Sequence, residues 1–191
     1  MSATDDDKIL VVGAGPVGLA AAIQLSRRGK KVRIIDQNDA PSIHSKALAV
    51  NARTLELMEP SGKTSLLLDQ GQKLTVLRLH YGEKAFFKLD YSHMRPRYPF
   101  LLMLPQNKTE EVFVRKLQDM GVEVERNTAF LSLAQDEAQV TVETKGPAGV
   151  TKNSYAYVVA ADGAHSPVRQ ALDLAFDGEA YPEEWHLADV N

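Results

Sequence analysis

The chain has no cysteine among its 191 residues. Disulfides, thiolate nucleophiles and thiolate metal sites are therefore excluded, and the composition suits a cytoplasmic protein. It also has no surplus of positive charge, since 22 Lys and Arg face 25 Asp and Glu and leave a net charge of -3. Nucleic acid and an anionic membrane surface are not expected partners. No run approaches the roughly 18 consecutive apolar residues that a membrane span needs. Residues 1–7 lack the basic start and apolar middle of a secretory signal and are expected to be a disordered tail. His44, His80, His93, His165 and His186 show no ligand spacing. They are read as surface or loop residues, no metal is expected, and no catalytic residue is assigned.

What is present is an ordinary globular composition, 44% hydrophobic over a length that suits one domain, or one domain and a part. The stretch from residue 8 to residue 36 organises the rest. Ile9-Leu10-Val11-Val12 leads into Gly13-Ala14-Gly15-Pro16-Val17-Gly18, and a run rich in Ala and Leu follows as far as Gly29. The pattern predicts a buried parallel strand, a glycine turn and a helix. Gly13 permits the turn, Gly15 lets backbone amides approach a pyrophosphate, and Gly18 lets the helix pack closely. Pro16 suits the first helical turn, and Val17 belongs to the amide run that forms an anion site at the helix start. Arg27, Arg28 and Gly29 close the helix. A second apolar strand, Val32-Arg33-Ile34-Ile35, ends in Asp36, placed to accept hydrogen bonds from a ribose diol. An acid there argues for the adenosine of FAD or NAD and against a 2′-phosphate.

Further along, residues 51–59 read as a helix capped by Asn51 and stopped at Pro60, and residues 62–70 as another. Alternation over residues 74–89 predicts a β-hairpin turning at Gly82, with residues 98–104 as a third strand. Gln106 opens a helix in which Asn107 and Glu110 fit a capping box, and Val112, Phe113, Leu117 and Met120 share a face. Val122-Glu123-Val124 is expected as a third parallel strand. Residues 130–134, 140–144 and 155–161 read as an antiparallel meander with a loop at residues 146–149. The meander ends in Asp162-Gly163-Ala164-His165-Ser166-Pro167-Val168-Arg169. This is either a well-formed strand-to-helix turn or a second nucleotide contact, with an acid for hydroxyls, a glycine for close approach and a helix start for phosphate.

With both motifs in view, the chain resembles the FAD-dependent aromatic hydroxylases, the flavoprotein monooxygenases typified by para-hydroxybenzoate hydroxylase and phenol hydroxylase. The resemblance rests on Gly13 through Leu19, on His44-Ser45-Lys46-Ala47-Leu48 with Ala52-Arg53-Thr54-Leu55-Glu56, and on Asp162-Gly163 through Arg169. It implies that Gly13, Gly15, Pro16, Val17, Gly18, Asp36 and Gln37 hold the ADP half of FAD. It also implies that Lys46 and Arg53 lie along the cofactor, that Gln106 contacts its diphosphate side, and that Asp162 and Gly163 touch FAD and the nicotinamide donor. Two departures stand out: relatives usually carry Glu-Arg where this chain has Asp36-Gln37, and many carry Arg in place of Lys46.

The fold expected on this basis is α/β. A Rossmann-like FAD-binding βαβ domain with a parallel sheet occupies residues 8–70 and 101–180 and includes the antiparallel β-meander crossover. Residues 71–100 and 181–191 would be part of a substrate-domain sheet. The family's third motif lies beyond residue 191, so the chain is expected to be an N-terminal portion, incomplete for catalysis. In such enzymes NAD(P)H reduces FAD, O₂ adds at flavin C4a, and the hydroperoxide hydroxylates a small aromatic, phenol-like substrate. Self-association through exposed sheet surfaces is a further expectation. Other readings stay open: an epoxidase or reductase of the same superfamily, a plain NAD-dependent dehydrogenase, or a non-catalytic nucleotide-binding or interaction domain.

Overall fold

Four consecutive apolar residues in the first strand need cover on both faces, and the rest of the chain supplies it. The computed structural model describes residues 8–41 and 47–178. In chain order the strands and α-helices are β1 (Lys8–Val12), α1 (Pro16–Arg27), β2 (Lys31–Ile35), β3 (Ala49–Val50), α2 (Ala52–Met58), α3 (Thr64–Gln70) and β4 (Gln72–Leu74). They continue with β5 (Val76–Tyr81), β6 (Lys84–Asp90), β7 (Leu101–Met103), α4 (Gln106–Asp119), β8 (Val124–Glu125), β9 (Ala129–Gln135), β10 (Val140–Gly146), β11 (Gly149–Tyr155), β12 (Tyr157–Ala160) and α5 (Pro167–Ala171).

The central sheet is parallel, in the order β12-β1-β2-β8. Successive strand residues face opposite sides, so the covering layers can be read from the strands. Val11 and Ile34 belong to a core with Leu19 and Ile23 of α1 and with Phe113 and Leu117 of α4. Leu10, Val12 and Ile35 belong to a second core with Phe130, Val142 and Tyr155 of the antiparallel sheet β11-β10-β9. Helices on one face and a meander on the other therefore cover the parallel sheet, burying the centre of β1 and the end of β2. This is the predicted α/β class.

Local signals account for the element ends. Gly29, at φ +76°, takes the left-handed conformation after α1. Its N–H donates to Ser26 O at 3.0 Å and that of Lys30 to Leu25 O at 3.2 Å, closing the last turn as Arg27-Arg28-Gly29 predicts. Asn51 caps α2 by accepting the Thr54 N–H at 2.8 Å. Across the sheet, Arg33 of β2 binds the Glu125 carboxylate through Nη2 at 2.7 Å and Nε at 2.9 Å, and donates to the Tyr155 hydroxyl at 2.5 Å. Glu125 raises the Arg33 pKa further above its ordinary value, so this latch between sheet and meander stays charged.

Three expectations are corrected. The strand before Asp162 is not the last strand of the meander. β11 ends at Tyr155, and β12 crosses to lie parallel to β1, Ile9 opposite Tyr157 and Val12 opposite Ala160. Apolar alternation specifies burial and not the partner, so the sequence could not distinguish the two. The segment around residues 98–104 does form β7, but β7 pairs with β3 and β4, not with the β5–β6 hairpin. At α4, Pro105 holds the cap position and Asn107 lies inside the first turn, where its side chain accepts from its neighbour Lys108 N–H. Glu110 is buried and bonded to the Gln106 side chain instead of closing a capping box.

The β5–β6 hairpin turns at residues 82–83 as alternation predicts. Phe86 is 68% and Tyr81 87% exposed. The expected tail at residues 1–7 and the expected strand at residues 181–191 lie outside the described residues, as do Lys46, His44, Ser45 and His186.

Candidate functional site

All four strands of a parallel sheet present their C-terminal ends at one edge, and ligands of such sheets bind there. Here that edge carries both glycine motifs. Gly13 follows β1, Asp36 follows β2, Arg126 follows β8 and the Ala161-Asp162-Gly163 run follows β12. The tips are tied laterally: Gly13 N–H donates to Ile35 O at 2.9 Å, Ala161 N–H to Val12 O at 2.8 Å, and Asp36 N–H to Glu125 O at 2.9 Å. They enclose a cleft of about 340 Å³ whose walls include Gly13, Gly15, Pro16, Val17, Asp36, Gln37, Gln106, Asp162 and Gly163.

The glycines differ in what surrounds them. At Gly13, which has φ +97°, an added Cβ would lie 2.4 Å from Ala161 O, and at Gly18 it would lie 1.9 Å from Gly13 O. These two let the turn, the helix and the tip of β12 close on one another. At Gly15 an added Cβ would meet nothing within 4 Å. Gly15 therefore leaves room on the cleft side, and the packing does not use that room. Gly15 is also the cap residue of α1, without a capping side chain. The first intrahelical bond runs from Leu19 N–H to Gly15 O, so the amides of Val17 and Gly18 precede it at the positive end of the helix. A cradle open at Gly15 and facing helix-start amides fits a diphosphate.

Asp36 stands at the tip of β2 as expected, 8% exposed, but its carboxylate is heavily used within the protein. Oδ2 accepts the Ala14 N–H at 2.7 Å, and Oδ1 accepts both the backbone and side-chain N–H groups of Asn38 at 2.9 Å. The Arg126 guanidinium approaches Oδ2 at 3.7 Å. A carboxylate offers about four acceptor positions, and Oδ1 has filled its two. Asp36 thus braces the glycine turn and retains capacity for a ligand hydroxyl at Oδ2.

Asp162 is engaged in a comparable way. Its Oδ2 accepts the Val168 N–H at 3.2 Å, and Ser166 Oγ accepts the Arg169 N–H at 3.0 Å. The start of α5 is therefore capped by these two side chains, as a well-formed strand-to-helix turn requires. Arg169 clasps the loop by donating to Ala164 O at 2.6 Å and stacking over Phe176 at 4.7 Å. Gln37 is exposed at the cleft rim. Arg53 is not brought into the cleft: its side chain is 73% exposed and pairs with Glu56 at 3.3 Å.

Several cleft residues escaped the sequence reading. Arg126, Thr128 and Phe130 form the wall opposite the glycine turn, and Glu110 lies in the wall beside Gln106. The one available signal was the polar run Arg126-Asn127-Thr128 directly after the third parallel strand. Asn127 takes φ +52° there, and its N–H donates to Asn38 O at 3.1 Å. A second, more apolar recess of about 350 Å³ lies on the other side of the α1 start, lined by Ala49, Val50, Thr54 and Leu104. It shares Pro16, Val17 and Gln106 with the first cleft, so an extended ligand crossing those three residues would touch both. Among the described residues no cluster of His, Asp and Glu could hold a metal ion, and no helix is long and apolar enough to cross a membrane.

Comparison with known proteins agrees with this geometry. A 6-methylpretetramide 4-monooxygenase of Streptomyces rimosus is 35% identical over 97% of this chain and 34% of its own length. The pentachlorophenol 4-monooxygenase of Sphingobium chlorophenolicum is 34% identical over 93% of this chain and 34% of its own. The solved p-nitrophenol 4-monooxygenase PnpA of Pseudomonas putida DLL-E4 superposes with a TM-score of 0.85 at 30% identity, covering 91% of this chain and 45% of that one. The chain thus spans between a third and a half of the length of these relatives. A family model described as FAD binding domain matches residues 6–191, and on that match, over a fold shared with a solved relative, this chain belongs to the FAD binding domain family.

Proposed function

We propose that the chain is the FAD-binding part of an NAD(P)H-dependent flavoprotein monooxygenase that hydroxylates a small, phenol-like aromatic ring. The observation that carries the reading is convergence: two glycine motifs, one at Gly13 and one at Gly163, are far apart in sequence yet wall one cleft with Asp36 and Gln106. The diphosphate lies against the turn of residues 15–18, where the N–H groups of Gly15, Val17 and Gly18 can donate and Gly15 leaves the space open. The adenosine ribose lies at Asp36, with Gln37 and Arg126 around it, in a Rossmann-like arrangement. Asp162 and Gly163 close the cleft from the β12 side. The flavin, when bound, supplies hydride acceptance and oxygen activation; the residues of this chain bind, orient and shield it. The names of two relatives, a pentachlorophenol and a p-nitrophenol 4-monooxygenase, support a phenolic substrate class.

The domain division follows the same reading. Residues 8–70 and 101–180 bind FAD, while the hairpin within residues 71–100 starts a second sheet. The exposure of Phe86 and Phe87, at 68% and 45%, supports a surface that is covered in the assembled enzyme. The chain by itself is expected to take up ADP or FAD weakly, to self-associate through that hairpin, and to hydroxylate nothing. An absorbance scan for flavin at about 450 nm, sedimentation, and an assay of NAD(P)H oxidation with a phenol and added FAD test this together. Turnover on the order of 1 s⁻¹ or faster would overturn the view that relatives' remaining length supplies essential parts.

Asp36 gives the second test. Removing its carboxylate orphans the Ala14 and Asn38 amides and takes away the ribose acceptor, so Asp36→Ala should weaken ADP binding by roughly 1–3 kcal/mol and lower the melting temperature as well. Unchanged ADP affinity would sink the ribose assignment. Comparing 2′-deoxy-ADP with 3′-deoxy-ADP refines it: with Oδ1 filled, one hydroxyl should matter more than the other.

A further inference from the structure

Glu110 is a carboxylate in the wall of a cleft read as a diphosphate site, and it is only 3% exposed. Direct contact between that carboxylate and a diphosphate would be repulsive, and burying an ionised acid is costly unless donors satisfy it. What it does contact is Gln106. The two residues lie four apart on α4, a spacing that places side chains on one helix face, and Gln106 Nε2 donates to Glu110 Oε1 at 2.8 Å. Gln106 is the first residue of α4, follows Pro105, and lines both the main cleft and the apolar recess beside it.

We infer that Glu110 is a positioning residue: it fixes the side-chain amide of Gln106 at the junction between the two recesses, so that Gln106 and not the acid meets the cofactor. A planar amide held by one N–H has the directions of its other N–H and its carbonyl fixed with it. The inference rests on the proposed placement of the FAD diphosphate side at Gln106.

A double-mutant cycle on FAD affinity, with a melting curve for each variant, tests it. Gln106→Ala and Glu110→Ala should each weaken FAD binding about tenfold, and the double variant should be no weaker than the poorer single one, because both remove a single interaction. Glu110→Gln keeps an acceptor oxygen without the charge and should bring affinity back to within about threefold of the original. Additive losses in the double variant, or a Glu110→Gln protein as weak as Glu110→Ala, would overturn the positioning role while leaving Gln106 at the cofactor. A Gln106→Ala protein that binds FAD normally would overturn both the role and the placement. The melting curves separate these outcomes from a general loss of fold.

Discussion

Gly15→Val should bind FAD at least about a hundredfold more weakly than the unsubstituted chain, a loss of roughly 3 kcal/mol, while its fold survives. The two effects separate because the position is crowded only by a ligand. The backbone at Gly15 lies at φ -75° and ψ -178°, an extended conformation that valine adopts readily, and an added Cβ meets no protein atom within 4 Å. The cost to folding is limited to the cap, where valine is a poorer residue than glycine by about 1 kcal/mol, or roughly 2–4 °C in melting temperature for a chain of this size. The cost to binding is direct, because an isopropyl group would stand where the diphosphate approaches the amides of Val17 and Gly18. Flavin fluorescence titration and a thermal melt on the same preparation give both numbers. Equal damage to both would show that Gly15 is a structural glycine and that the open space beside it is not the diphosphate site.

The contrast among the glycines explains how much of this protein is legible in its sequence. Strand, turn, helix, strand and acid over residues 8–36 are all local patterns: apolar runs, a helix with Pro16 at its start, and a glycine after its end. Each depends only on neighbours along the chain, and each stands in the structure. The second motif was also legible as a motif, but its place was not. Only the pairing of β12 with β1 brings Asp162 beside Gly13, and pairing partners are not written in alternation. The same limit hid the wall formed by Arg126, Thr128 and Phe130, which reaches the cleft through the parallel contact of β8 with β2.

Side-chain commitments were the least legible. Their position at strand tips marks Asp36 and Asp162 as ligand acceptors. Folding instead spends part of each carboxylate on backbone amides, Ala14 and Asn38 for one and Val168 for the other. The spacing of Glu110 to Asn107 predicts half of a capping box, but Pro105 takes the cap position and moves the frame by two residues. The resemblance places Arg53 along the cofactor, and on α2 its side chain pairs with Glu56 and is largely exposed. For the three acids, spacing along the chain names a plausible partner, and donors brought close only by the fold also claim the side chain.

Gly13→Ala and Gly18→Ala should behave in the opposite way to Gly15→Val, losing stability first and binding as a consequence. At Gly13 two costs act together. Its φ of +97° is outside the range that side-chain-bearing residues favour, and the new Cβ would lie 2.4 Å from Ala161 O and 3.0 Å from Asp162 Cα. Backbone strain of about 1–2 kcal/mol and overpacking of about 1–3 kcal/mol give an expected loss near 3 kcal/mol. At Gly18 the substitution gains helix propensity, about 1 kcal/mol for Ala over Gly. The new Cβ, however, would lie 1.9 Å from Gly13 O. That contact is with backbone and not with the end of a flexible side chain, so the turn itself must move, and a net loss of about 2 kcal/mol is expected. For a chain of this length these losses correspond to drops of roughly 4–12 °C in melting temperature. Because Gly13 touches the tip of β12 through Ala161, relieving either clash pushes the two motifs apart and opens the cleft, so FAD affinity should fall in step with the melting temperature. Thermal melts of both variants within 2 °C of the unsubstituted chain, about the change expected from half a kcal/mol, would mean that the turn can shift freely and that the tight closure of Gly13 on Ala161 is not what holds the site together.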